Sequence, residues 1–147
     1  NGNNNALPDT DESRYTVFYA LPPGMDTSRG IDFEVIHTHT VNITDPYEVT
    51  VSYDKLPDSV FFTNTSAPTV IHQSVKLPLK SPDKIAGQIE RSKVNLNTEK
   101  LIPGVDILAI SITRTTTNAM MSNRCEFVII SAIPTYCAWC DGITSSY

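Results

Sequence analysis

The stretch "IDFEVIHTHTVNI" (31–43) limits the possible folds more than any other part of the chain. Ile31, Phe33, Val35, His37, His39, Val41 and Ile43 fall on one side, and Asp32, Glu34, Thr38, Thr40 and Asn42 on the other, with only Ile36 out of place. Successive strand side chains point to opposite faces, so a period of two over this length predicts a half-buried β-strand, broken or bent midway.

The same period recurs along the chain. "YTVFYAL" (15–21) is β-branched and aromatic and runs into "PPGMDTSRG", a proline- and glycine-marked loop. "YEVTVSY" (47–53) alternates, "VFFT" is a short apolar piece, and "TVIHQSVKLPL" (69–79) shifts phase as a bulged strand would. "KIAGQIERS" (84–92) places Ile85, Gly87, Ile89 and Arg91 together on an inward face, and "KVNLNTEKLIPG" reads as a loop. "VDILAISITR" (105–114) is apolar on both faces and predicts a central strand covered on both sides. "CEFVIISAI" (125–133) predicts a last strand that Pro134 ends. No segment holds a helical period. About eight strands at these spacings predict an all-β antiparallel sandwich or barrel. One domain covers 15–147, and the polar residues 1–14 read as a flexible tail. The chain begins at Asn1 without a methionine, as expected of a processed form or a fragment.

Charge narrows the function classes. The net charge is −5, and the 11 Lys and Arg are scattered, so no basic face for nucleic acid is expected. No run reaches the roughly 20 apolar residues of a membrane helix. An enzyme is not expected either. No serine sits in a G-x-S-x-G elbow, the six glycines are scattered singly, and Glu34 and Glu90, the carboxylates that could pair, lie on strand faces that read as solvated. His37 and His39 share a strand face, as ligands of some metal sites do, with His72 as a distant third. Without a carboxylate beside them they read as residues lining a sheet or subunit contact, and no metal or other cofactor is expected. Arg91, read as inward, requires a carboxylate or carbonyl partner. Asn42 and Asn64 open glycosylation triplets.

Three short segments, in order and spacing, resemble a family of viral appendage jelly rolls found in phage head and tail fibres and decoration proteins. They are "YALPPGMD" (19–26), "DKIAGQIERS" (83–92) and "PGVDILAISITR" (103–114), within a match covering 15–114. The resemblance implies a jelly-roll-like sandwich that assembles as a homotrimer on a virion surface, with no catalytic residues. The segment from Cys125 onward departs from the pattern.

The expected function is therefore a structural virion protein, a trimeric fibre head, spike or capsid decoration subunit that works through protein or receptor contacts. Two alternatives share the architecture: a secreted cell-surface filament subunit or adhesin, and a carbohydrate-binding lectin module. In the last, Tyr47, Tyr53, Tyr136 or Trp139 would stack on a cell-surface glycan. The last strand has alternate residues Phe127, Ile129 and Ser131 against Val128, Ile130 and Ala132, so both faces call for cover that a neighbouring subunit could supply.

The chain has three cysteines. "CAWC" (137–140) follows a strand rather than opening a helix, which argues against a redox centre. A bridge from Cys125 to Cys137 or Cys140 would staple the tail to the sheet, worth roughly 3 kcal/mol by loop entropy, and would leave one thiol over. In a reducing compartment all three stay free.

Overall fold

The computed structural model describes residues 6–7, 13–40, 48–56, 73–79, 86–115 and 127–138. Among the described residues there are eight strands: β1 (Ala6–Leu7), β2 (Ser13–Ala20), β3 (Ile31–His39), β4 (Glu48–Lys55), β5 (Gln73–Lys76), β6 (Glu90–Leu96), β7 (Ile107–Thr115) and β8 (Phe127–Tyr136). They form two four-stranded sheets ordered β1-β8-β3-β6 and β2-β7-β4-β5. Every pairing is antiparallel. The pairs β1·β8, β2·β7, β3·β6 and β4·β5 are the rungs of one long hairpin, rolled so that β3 also lies beside β8 and β4 beside β7. This is the eight-stranded jelly roll, and the all-β sandwich expected from the alternation is the fold.

The core lies between the sheets. Ile31, Phe33 and Val35 of β3 and Leu96 of β6 face Leu108, Ile110 and Ile112 of β7 and Val51 of β4, all almost fully buried. Each such side chain contributes about 1.5–3 kcal/mol through removal of apolar surface from water. β7 is central, as expected, between β2 and β4. Its outer face is only partly covered: Ala109 and Ser111 are buried there, but Ile107 is exposed.

Three expectations are corrected. The strand expected at 84–92 is displaced: Ala86 and Gly87 form a turn, and β6 runs from Glu90 to Leu96 through residues expected to be a loop. Its inward residues are Glu90, Ser92, Val94 and Leu96, so Arg91 points outward. β8 continues through Pro134 to Tyr136. Among the described residues this stretch pairs only with β3, and a proline is tolerated where one side of a strand is unpaired. Finally, the pairing of β3 with β8 shifts between Ile36 and His37. Ile36 lies opposite Ser131 and His37 opposite Ile129, which leaves Ile130 as the extra residue of a bulge. The bulge reverses the phase, so Ala132, not Ser131, follows Phe127 and Ile129 into the core.

Ala6–Leu7, within the stretch expected to be a polar tail, forms β1 against Phe127 and Val128. The expected strand piece "VFFT" and residues 69–72 lie outside the described residues. Among the described residues no helix is long and apolar enough to cross a membrane.

Candidate functional site

The sandwich has two dissimilar ends. At one, β2, β4 and β8 finish, β5 starts, and the segments 21–30 and 97–106 close over the core. Side chains hold these two loops to the strands and to each other. The Tyr53 hydroxyl donates to the Asn97 carbonyl, and the Asn97 amide donates to Gln73 Oε1 at 2.7 Å. Buried Thr98 donates through Oγ1 to the Thr27 carbonyl at 2.7 Å. Asp106 accepts the Ile102 amide at 2.8 Å and lies 3.6 Å from Lys55 Nζ. Leu21 and Gly104 join the loops directly: the Leu21 amide donates to Asp106 O and the Gly104 amide to Leu21 O. Asp26 caps the short 3-10 turn Thr27–Arg29 by accepting from the Ser28 amide and hydroxyl. The chain reverses at Gly30, whose φ of 72° favours glycine; a Cβ there would stand 2.5 Å from Leu96 O.

Beside this network, between β4, the start of β5 and the loop after β6, lies an open cleft of about 540 Å³. Tyr53 and Leu101 form its buried wall, and Gln73, Asn97, Glu99 and Lys100 its rim. Burial pushes the Tyr53 phenol above its usual pKa range. The Tyr19 phenol is also raised, first by burial and then by the nearby Tyr136.

The opposite end holds His37 and His39, both buried on the inner face of β3. The Ser92 hydroxyl donates its proton to Pro78 O at 2.8 Å, so His37 Nε2, 3.0 Å from Ser92 Oγ, donates to that hydroxyl oxygen. The His37 ring stacks on Phe127 at 4.6 Å and meets His39 edge-on at 5.9 Å. Glu90, the cross-strand partner of His37, is buried, and so is Arg114 at the end of β7. These histidines therefore line the core. Among the described residues no group of three or more His, Cys, Asp or Glu could hold a metal ion.

Glu90 does not lie on the solvated face expected of it. Glu34 points outward and Glu90 inward on the same sheet, so the two carboxylates cannot flank one bond. Arg91 is likewise displaced from its expected inward role: it is 67% exposed and pairs with Glu34 at 3.2 Å. The arginine that does enter the core is Arg114, fully buried. The unbroken alternation of β7 could have flagged it, since Arg114 continues the series Leu108, Ile110 and Ile112.

Tyr136, a candidate ligand contact, ends β8 opposite Ile31 and is 43% exposed. Tyr53 is buried in the cleft wall and hydrogen-bonded, so its ring is not an exposed stacking platform. Cys137 is exposed and has no disulfide partner among the described residues. Its carbonyl accepts the Asp26 amide at 2.7 Å, and Ala138 bridges to Met25, so backbone bonds tie this end of the chain to the 21–30 loop. Trp139, Cys125, Cys140, His72, Tyr47, Asn42 and Asn64 lie outside the described residues.

Fold and loops together define a jelly-roll module with a polar cleft at its loop end. No family model, curated protein or solved structure matches the chain.

Proposed function

We propose that the chain is a structural subunit of a virion surface, a fibre head, spike or capsid decoration protein that assembles as a homotrimer and meets its receptor through its loops. The observation that carries this reading is the apolar surface on both outer faces of the sandwich. Phe18, 47% exposed, and Ile107 lie on the outside of the β2-β7-β4-β5 sheet, and Ile133, 52% exposed, lies on the outside of the other. Large apolar side chains on opposite faces of one small module suit a contact in which one face of a subunit meets a different face of the next. Contacts of that type close into a ring where the rotation between subunits closes, as in a trimer, and run on as an open filament where it does not. The jelly-roll strand order supports the same reading, since the architecture is used in capsid proteins; it is used in lectins as well.

Sedimentation equilibrium at micromolar concentration is expected to give three times the chain mass of 16.2 kDa. Phe18→Lys and Ile133→Lys, at exposed positions, are expected to yield folded monomers. A monomeric wild-type protein would refute the assembly reading.

A further inference from the structure

The loop-end cleft differs in chemistry from the rest of the protein. Its groups are mostly donors. The Gln73 side chain uses its oxygen to accept the Asn97 amide, and the Asn97 side chain uses its oxygen to accept the Glu99 amide at 2.9 Å. In each case the NH2 group is left for a ligand. Lys100 is exposed, and Lys55, 40% exposed, is held only loosely by Asp106 at 3.6 Å. Among the described residues lining the cleft, Glu99 is the one carboxylate. Two ammonium groups and two amide NH2 groups thus gather in a protein whose overall charge is −5.

The volume of about 540 Å³ falls in the range of small-ligand sites. The rim is fixed in advance, because Tyr53, Gln73 and Thr98 all bind loop backbone, so little ordering cost remains at binding. Among the described lining residues Tyr53 is the one aromatic, and it is buried in the wall, so these residues offer no exposed aromatic platform for a flat base or ring. A ligand that suits this wall has one anionic group for the lysines and several hydroxyls for the amides and for Glu99.

We propose that this cleft binds an acidic saccharide, with its carboxylate toward Lys55 and Lys100 and its hydroxyls on Gln73, Asn97 and Glu99. The inference rests on the reading that the loops make the receptor contacts, and it gives that receptor a chemical class.

The test follows the side-chain amide resonances of Gln73 and Asn97 in the full chain during titration with 3′-sialyllactose, with lactose and sodium acetate as parallel arms. Sialyllactose is expected to shift both resonances at concentrations where lactose and acetate do not. Lys100→Glu is expected to weaken binding by about tenfold or more, as loss of a charge-assisted contact does. Lys93→Glu, on the outer face of β6, is expected to leave it unchanged. Absence of shifts at millimolar sialyllactose, equal shifts with acetate alone, or equal losses in both lysine variants would each overturn the proposal. A trimer that fails to bind removes the cleft and leaves the assembly reading standing; a monomer that binds does the reverse.

Discussion

The two ends of the sandwich solve the same problem differently. Each must stop eight strands without leaving polar groups stranded in the core. At the end carrying His37, His39, Glu90, Ser92 and Arg114, polar side chains are drawn inward and buried. At the loop end the polar side chains of Tyr53, Gln73, Thr98 and Asp106 bind loop backbone, which leaves the remaining donors facing solvent. The first arrangement makes that end depend on packing, because a buried polar group is tolerated only while its surroundings hold. The second makes a loop rigid without making it inaccessible, which is what a contact surface requires.

The contrast is broken most severely at the packed end. Phe127→Ala removes the ring that stacks on His37 and meets His39 at 5.6 Å, in a fully buried position. A loss of about 3–5 kcal/mol is expected in urea unfolding. A loss under about 1 kcal/mol would mean that this end is not packed as described.

At the loop end the largest effect is expected from Gly30→Ala. The positive φ and the closeness of Leu96 O and Asn95 Oδ1, 2.5 and 2.7 Å from an added Cβ, together predict a loss of roughly 1–3 kcal/mol. Neutral behaviour in the same unfolding assay would show that the reversal before β3 is not fixed.

Tyr53 and Tyr19 sharpen the contrast by pH. Both phenols are raised by burial, so the folded state holds their protons more tightly than the unfolded chain does. Their contribution is therefore fully present below the unfolded value of about 10 and is lost as pH rises through the folded values. Thermal melts are expected to fall above about pH 10. In Tyr53→Phe the fall is expected to be shallower, since one of the two groups no longer titrates. Identical alkaline profiles would remove Tyr53 from the account.

The smallest effect is expected from Arg91→Ala. Its partner Glu34 is 35% exposed and the arginine more so, and an exposed pair of this kind contributes about 0–1 kcal/mol. A large loss would restore the structural role that the sequence suggested for Arg91.

Sequence periodicity reaches as far as side chains follow the simple rule of apolar in, polar out. β3 up to Val35 and β4 up to Tyr53 obey it and are legible. β7 is legible as a central strand through its apolar run from Ile107 to Ile112. β6 inverts the rule, because Glu90 and Ser92 enter the core to meet His37 while Ile89 stays outside. Apolar spacing therefore pointed to the wrong residues and to the wrong face for Arg91. The bulge at Ile130 adds a residue without changing composition, so the phase of β8 after it was hidden. The cleft was not legible at all. Tyr53, Gln73 and Asn97 are brought together by the roll of the hairpin, and nothing in their local sequence marks them as neighbours.

The central claim is that the loop end is held as firmly as the sheets it closes. Amide hydrogen exchange tests it directly at Leu21, Asn97 and Gly104, whose amides bond Asp106 O, Gln73 Oε1 and Leu21 O. All three are expected to be protected to within about tenfold of Ile110 in the central strand β7, a difference of ~1.4 kcal/mol in opening free energy. Exchange of these amides at the rate of an unstructured chain, with Ile110 still protected, would contradict the account.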